Sequence, residues 1–401
     1  MFIYVTALAV MLGGGILALL CGKKSKAAMF SGVVSLAVTS AVIFTALVLD
    51  VFLFRELAVK QFFQIPIAVL GIAAAIFSPG YLAGHEEKRS SYYFFFLNLT
   101  ICSMYCVTLL ETPFLFLLAW EIMGLASAAL VMFDYHSEKS KKAAYLYFVA
   151  CHAGAALLIP VFLFPLYSFH LPILAIIGFG LKIGFPLLHV WLPEAHPAAP
   201  APVSAIMSGA MIELGFLGLF FFLPKQLPMY ILLTVFFLGI TGAVWGIIAA
   251  LAQNNLKRLL AYSSMENMGI CSLAFALGYL GRHYNLQSME YAALAGGTLH
   301  ILNHAFLKGG LFLGAGAVLK SCGTLDMDKM GGLLKRAPHT GTLFTLNAAG
   351  LCGLPPFNGF IGEFLIYFAA FQGLIYGAGF LRYSPVLPLW HLPLQAVLQQ
   401  Q

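Results

Sequence analysis

Apolar residues run along this chain in blocks, and short polar stretches between the blocks hold most of the charges. A helix needs about 20 mainly apolar residues to cross the hydrocarbon of a bilayer. Blocks of that length lie near 2–20, 28–49, 62–83, 92–110, 113–133, 143–167, 171–192, 201–223, 228–251, 259–281, 291–319 and 340–380. The pattern predicts twelve spans in an all-α, polytopic transmembrane helix bundle. Two of the spans are expected to be broken. The seventh carries Pro186 four residues after Lys182, and a proline inside a helix has no N–H to give the carbonyl one turn back. The twelfth is split around Gly353-Leu354-Pro355-Pro356-Phe357-Asn358-Gly359. Irregular backbone at membrane depth is tolerated only where protein or a water-filled cavity satisfies it.

Composition points the same way. Of 401 residues, 61% are hydrophobic and 9% charged, against about a quarter charged in a soluble protein. One bundle accounts for the whole length. The start, MFIYVTALAVMLGGGILALL, has no basic stretch before it and no small-residue cleavage site before CGKKSK, so it reads as a first span and not as a signal peptide. The net charge of +6 is dispersed over loops and is no nucleic-acid signature. Lys and Arg counted over loops set the orientation. With the N-terminus outside, the inner loops carry fourteen, the outer side five, and Lys182 and Lys308 fall inside spans. The expected location is the cell inner (plasma) membrane. Most of the seven cysteines lie in apolar spans. Cys102 and Cys106 are one turn apart without a His or Cys cluster, which reads as small buried hydrophobes and not a metal site. No metal or redox cofactor is expected, and no phosphate loop, nucleotide fingerprint or Cys-x-x-Cys motif appears.

The informative residues are the ionisable ones inside spans. A charge at membrane depth costs at least ~2.5–3.5 kcal/mol and marks function by default. Glu121 lies in PFLFLLAWEIMGLASAALVMF, with apolar flanks on both sides. Lys182 is central in its span, and Glu213 lies in the next. A buried lysine loads and releases a proton readily, and a nearby carboxylate modulates it; Glu121 is the expected partner of Lys182. His300, His304 and Lys308 stand at i, i+4 and i+8 in YAALAGGTLHILNHAFLKGGLFLGAGAVL. They form one stripe on a helix, about 12 Å long, which suits a proton relay. Hydrogen bonding between helices is the alternative for either histidine, and a metal lacks a third ligand. Glu363 follows the second break by a few residues. Lys257 divides between membrane anchor and relay, whereas Arg258 reads as an anchor. His189, Glu194 and His196 are expected at the inner surface, at a channel mouth. Lys182 and Glu363 sit at breaks five spans apart, an odd offset that hints at an inverted repeat.

The segments LLAWEIMGL, LKIGFPLLHVWLPEAHPAAPAPVSAIMSG, NNLKRLLAYSSMENMGI, LHILNHAFLKGGLFLGAGAV and GLPPFNGFIGEFLIY, over roughly residues 90–375, together resemble the antiporter-like membrane subunits. These include the proton-pumping subunits of respiratory complex I, the large subunits of Mrp cation/proton antiporters, and the membrane subunits of formate hydrogenlyase and related group 4 nickel–iron hydrogenases. The resemblance implies two inverted five-helix repeats with broken seventh and twelfth helices. It matches Glu121 to the family's fifth-helix glutamate, Lys182 to its seventh-helix lysine, Lys308 with His304 to its central relay, and Glu363 to its twelfth-helix terminal residue. The wording NGFIGEFLIY looks most like the hydrogenase-linked branch, though some complex I and Mrp subunits share that glutamate.

Two departures stand out. Glu213 occupies a place where several relatives carry lysine, so it is a candidate relay residue, as is Lys257. After Leu381 the chain runs RYSPVLPLWHLPLQAVLQQQ, without room for the family's last two helices, so the second repeat is expected to be incomplete, by truncation or in a shortened member. The expected organisation is three N-terminal helices over 1–90, a first repeat over 91–225, an incomplete second repeat over 226–381, and an atypical tail over 382–401. The expected function is proton translocation along Glu121, Lys182, His300, His304, Lys308 and Glu363, in a multi-subunit redox complex. Its partners would be the lipid bilayer, other membrane subunits, a peripheral redox arm, and protons or Na⁺, with no nucleic acid. The chain itself carries no electron carrier. The alternatives are a truncated, non-pumping scaffold or a member of an Mrp-type Na⁺/H⁺ antiporter.

Overall fold

A computed structural model describes residues 2–22, 25–54, 59–83, 87–164, 171–224 and 226–383. Among the described residues, every regular element is a helix. Lipid offers no hydrogen bonds, so each apolar block satisfies its backbone internally. In chain order the helices are α1 (Phe2–Leu20), α2 (Ser25–Phe54), α3 (Val59–Leu82), α4 (Glu87–Leu109), α5 (Pro113–Val131), α6 (Glu138–Leu163), α7 (Leu171–Ile183), α8 (Leu192–Ala198), α9 (Ala201–Ile206), α10 (Leu214–Phe222), α11 (Met229–Leu251), α12 (Leu256–His283), α13 (Gln287–Cys322), α14 (Leu333–Arg336), α15 (Pro338–Leu351) and α16 (Asn358–Tyr383). A π-helical turn, Met207–Met211, joins α9 to α10.

Ten helical segments among the described residues are long and apolar enough to cross a membrane, and α9–π–α10 (Ala201–Phe222) counts as one of them. The other two expected spans look different. α7 has 13 residues, because the chain breaks after Ile183. α12 has 28 residues but carries Lys257, Arg258, Glu266 and Arg282 along its length. The twelfth span differs from the expected single broken helix. α15 ends at Leu351, the chain turns through Gly353 at φ 63° and the cis Pro355–Pro356 bond, and α16 restarts at Asn358. α16 is apolar and long enough to cross by itself. From residue 384 on, the expected tail lies outside the described residues, as do Lys23, Lys24, Arg55 and Lys225 of the loop cations counted above.

Helix caps come from the expected residue types. Ser137 accepts from the Ser140 N–H at the start of α6, and Asn255 accepts from the Arg258 N–H at the start of α12, each relieving an orphan donor. Between helices, lipid-like side chains gain little from leaving lipid, so association rests on close packing of small residues. A Cβ added to Gly154 of α6 would stand 2.9 Å from the carbonyl oxygen of Gly178 in α7. α11 meets α12 the same way, where a Cβ on Gly242 would lie 3.3 Å from Gly269. Of the ten spans, α9–π–α10 is the most enclosed and α16 the least. The enclosed one packs against α3, α7 and α13, which puts Glu213 at the centre of the bundle.

Candidate functional site

Lys182 closes α7. The Gly184 and Phe185 N–H groups both donate to the Gly180 carbonyl, at 2.8 and 3.1 Å. Gly184 takes φ 83°, a left-handed turn that side chains resist. The helix therefore stops at Ile183, three residues before Pro186 and earlier than the proline alone requires. The Leu181 carbonyl freed by the break accepts the Trp191 indole N–H at 2.7 Å. The Lys182 side chain is 2% exposed. Its ammonium donates to Cys151 Sγ at 3.2 Å and to the Tyr147 hydroxyl at 3.4 Å. It also stands 5.5 Å from the centre of the Trp120 ring and 5.4 Å from that of Tyr147, so ring faces supply part of its stabilisation.

The expected pairing of Glu121 with Lys182 is not formed. Glu121 Oε2 meets His152 Nδ1 at 3.2 Å instead. The cause is the seam between α5 and α6. Cys151 turns toward Lys182, while the next residue, His152, turns to the outer side where Glu121 lies.

A second group of buried ionisable residues surrounds Glu213. The π turn before it adds a residue to one helical turn and sets its register. Glu213 Oε1 lies 3.1 Å from His304 Nδ1, and both side chains are fully buried. Glu213 Oε2 and His304 Nε2 have no hydrogen-bond partner. His300, one turn before His304, holds Asn267 through Nε2 at 3.0 Å. Lys308, one turn after, donates to the Leu260 carbonyl at 2.8 Å. The stripe is thus real, but each member is held by a different neighbour. Lys257 is 1% exposed and donates to the Ala199 carbonyl at 2.7 Å, which rules out a surface anchor. Arg258 does lie at the surface, 2.8 Å from Glu194. His189 is half-buried.

His196 departs from its expected place at a channel mouth. It is fully buried, stacked on Phe312 with ring centres 4.8 Å apart, and neither ring nitrogen has a partner. The Pro-rich turn folds α8 inward rather than leaving it at the surface, and Ser204 fastens the fold by donating to the His196 carbonyl at 2.9 Å. Glu363, just past the second break, is half-buried beside Tyr367. A Cβ on Gly353 would stand 2.6 Å from its carboxylate, so the glycine in the break makes room for it. Asn303 and Asn358 clamp the same break with two hydrogen bonds of 2.8 Å.

Sequence reasoning passed over Glu266, which interacts electrostatically with both Lys308 and Glu363. It lies inside α12, so the rule that flagged Glu121 could have found it. Tyr147, Cys151 and His152 carried no such signal, because neutral or dual-purpose side chains inside a span are ordinary. Tyr147 joins the two groups of residues. Its hydroxyl lies 2.8 Å from Ser127 Oγ and donates to Met211 Sδ of the π turn at 3.1 Å. Its ring lies 4.8 Å from that of Trp191, which lies 6.3 Å from His196. Buried acids, bases and hydroxyls therefore run from α5 across the bundle to α16.

Residues 166–381 match the family model described as NADH:quinone oxidoreductase/Mrp antiporter, transmembrane. Hydrogenase-4 component B of Escherichia coli strain K12 is 34% identical over 339 residues, covering 79% of this chain and 50% of that protein. One Na(+)/H(+) antiporter subunit, from Alkalihalophilus pseudofirmus, is 29% identical over 342 residues, covering 77% of this chain and 41% of that protein. The chain thus spans about half the length of the curated relatives it matches. The solved Mrp complex from Dietzia sp. DQ12-45-1b shares the fold, with a TM-score of 0.77 at 19% identity, covering 94% of this chain and 76% of that one.

Proposed function

The chain belongs to the NADH:quinone oxidoreductase/Mrp antiporter transmembrane family, and we propose that it is a proton-translocating membrane subunit of a multi-subunit redox complex of the group 4 hydrogenase or formate hydrogenlyase type. The observation that carries this is the fully buried Glu213–His304 pair, with Lys182 on one side of it and Lys308, Glu266 and Glu363 on the other. Burial of so many ionisable groups is costly unless they serve a path for ions. Protons pass along Glu121, Lys182, the Glu213–His304 pair, His300, Lys308 and Glu363, with Lys257 and Glu266 setting the local charge. A carboxylate moving toward an ammonium favours its charged form, and moving away disfavours it. A redox reaction in a peripheral arm drives those movements. The organisation that goes with this reading is three N-terminal helices over 1–90, repeats over 91–225 and 226–381 in inverted topology, and a tail from 382, in the inner membrane with the N-terminus outside.

The likeness to a Na(+)/H(+) antiporter protein supports a second reading, cation/proton exchange without a redox partner. One assay separates the two. Inside-out vesicles containing the complete complex are energised with formate, hydrogen or NADH in one arm, and with an imposed Na⁺ gradient in the other, while internal pH is followed. Translocation in the donor arm that Lys182→Ala abolishes at unchanged protein level supports the first reading. Translocation in the Na⁺ arm alone supports the second, and undiminished translocation by Lys182→Ala sinks both.

A further inference from the structure

One face of α5 leads to Lys182. Phe116, Trp120 and Gly124 stand at i, i+4 and i+8 on it, so they share one stripe about 12 Å long. The inner end of the stripe meets the lysine: a Cβ on Gly124 would stand 3.9 Å from Lys182 Nζ, and the Trp120 ring centre is 5.5 Å from it. The other end meets a cavity of about 260 Å³, which Phe116 lines together with Phe222, Thr108, Lys60 and Glu111. Lys60 and Glu111 are an ion pair there, and Glu111 belongs to the loop between α4 and α5. The cavity therefore lies at the membrane face where α5 begins, and its size and polar groups suit water. Between it and the lysine stand aromatic rings. Phe116 stacks on Trp120, with centres 5.6 Å apart, and meets Phe222 edge-on at 4.9 Å and Phe162 edge-on at 5.7 Å. Phe179, three residues before Lys182 on α7, meets Trp120 edge-on at 5.5 Å and stacks with Phe222 at 6.1 Å. Four helices, α5, α6, α7 and α10, thus contribute rings to one cluster.

We propose that this cluster is a seal that closes Lys182 off from the membrane face where α5 begins, with Phe116 and Phe222 as its outer layer and Trp120 and Phe179 as its inner one. A group that carries protons across a membrane must not meet both sides at once, or the gradient drains through it. An apolar constriction prevents this by excluding water. Four of the five side chains are phenylalanines, which offer a proton no hydrogen bond. Trp120 is where the seal meets the site, since Phe116 stacks on one part of it and the ammonium lies over its ring. The phenylalanines act through Lys182 and are positioning residues. Close packing of helices also gathers aromatic rings, but a packing role predicts no leak that depends on the lysine. The inference rests on the proton-translocating reading and adds to it the side from which Lys182 is shut.

The test uses the complete complex in inside-out vesicles without a donor and follows the collapse of an imposed pH gradient. Driven translocation is measured in parallel, in whichever arm supports it for the unmodified protein. Phe116→Ala is expected to speed the collapse about tenfold, which corresponds to a barrier lower by about 1.4 kcal/mol. Phe116→Leu keeps the position apolar and filled and is expected to leave the vesicles tight. Adding Lys182→Ala to Phe116→Ala is expected to return the collapse to the unmodified rate. Phe222→Ala, at a half-buried position, is expected to give the same pattern and serves if Phe116→Ala does not assemble. If Lys182→Ala abolishes driven translocation while neither alanine change causes a leak, the seal is wrong and the functional reading stands. If a leak appears and persists with Lys182→Ala, the rings are packing residues and the seal is again wrong. If Lys182→Ala leaves driven translocation undiminished, both fall.

Discussion

The surroundings of Lys182 and of Glu213 solve the same problem in opposite ways. Lys182 is a buried cation without a carboxylate, stabilised by a thiol, a hydroxyl and two aromatic faces. Glu213 is a buried acid with a dedicated partner, His304, and no exposure for either. The first arrangement is loose, and the carboxylate expected beside it, Glu121, is engaged elsewhere. The second is closed, and each partner keeps one unpaired polar atom inside the bundle. A charge without a fixed partner can exchange partners, whereas a closed pair holds its proton until a neighbour moves. In the proposed path the pair at the centre would be the store and the lysine the point of exchange.

The largest stability effect belongs to the closed pair. Removing one member of a buried pair leaves the other uncompensated and costs about 3–5 kcal/mol. His304→Leu is expected to destabilise the purified protein by about that much, and Glu213→Leu in the same chain to restore most of it. A thermal-melt double-mutant cycle checks this, and additive losses would mean that the two residues do not interact. Lys182→Met, by contrast, removes a charge that has no counter-ion and is expected to cost less than either single change at the pair.

The two helix breaks offer a finer comparison. At the second break Asn303→Ala removes two hydrogen bonds to Asn358, with an expected loss of about 2 kcal/mol at about 1 kcal/mol each. At the first, Trp191→Phe removes the single bond to the Leu181 carbonyl and is expected to cost about 1–2 kcal/mol, since the carbonyl is left unpaired. No measurable loss from either change would show that the breaks are held by something other than these side chains. The smallest effect lies outside the bundle. Lys60 holds the Glu111 carboxyl below its ordinary value of 4.5 through a 2.9 Å ion pair. A depressed carboxyl contributes stability above that value, and the contribution disappears as the pH falls through the lowered one. Because Glu111 is fully exposed and screened, Lys60→Ala is expected to shift the melt at neutral pH by less than a replicate's scatter; a clear shift would show that this loop is more enclosed than the pair suggests.

Much of this was legible in the sequence because lipid enforces simple rules. Runs of apolar residues had to become helices, and charges inside them stand out as candidates. Glu121, Lys182, Glu213, His300, His304, Lys308 and Glu363 were all visible on that ground. What the sequence could not carry was direction around a helix. The π turn at Met207–Met211 has no compositional sign, yet it sets the register of Glu213. Whether Glu121 faces Lys182 or His152 depends on how α5 and α6 pack. Glu194 and His196 are two residues apart, and α8 sends one to the surface and the other to the core.

The most direct measurement is proton translocation by Glu213→Gln in vesicles holding the complete complex. Glutamine keeps the shape of the side chain and its contact with His304 but cannot carry the charge. The expected result is a loss of about a hundredfold, typical for removal of a proton-transfer group, at unchanged protein level. Translocation at the unmodified rate would contradict a path that runs through the buried pair.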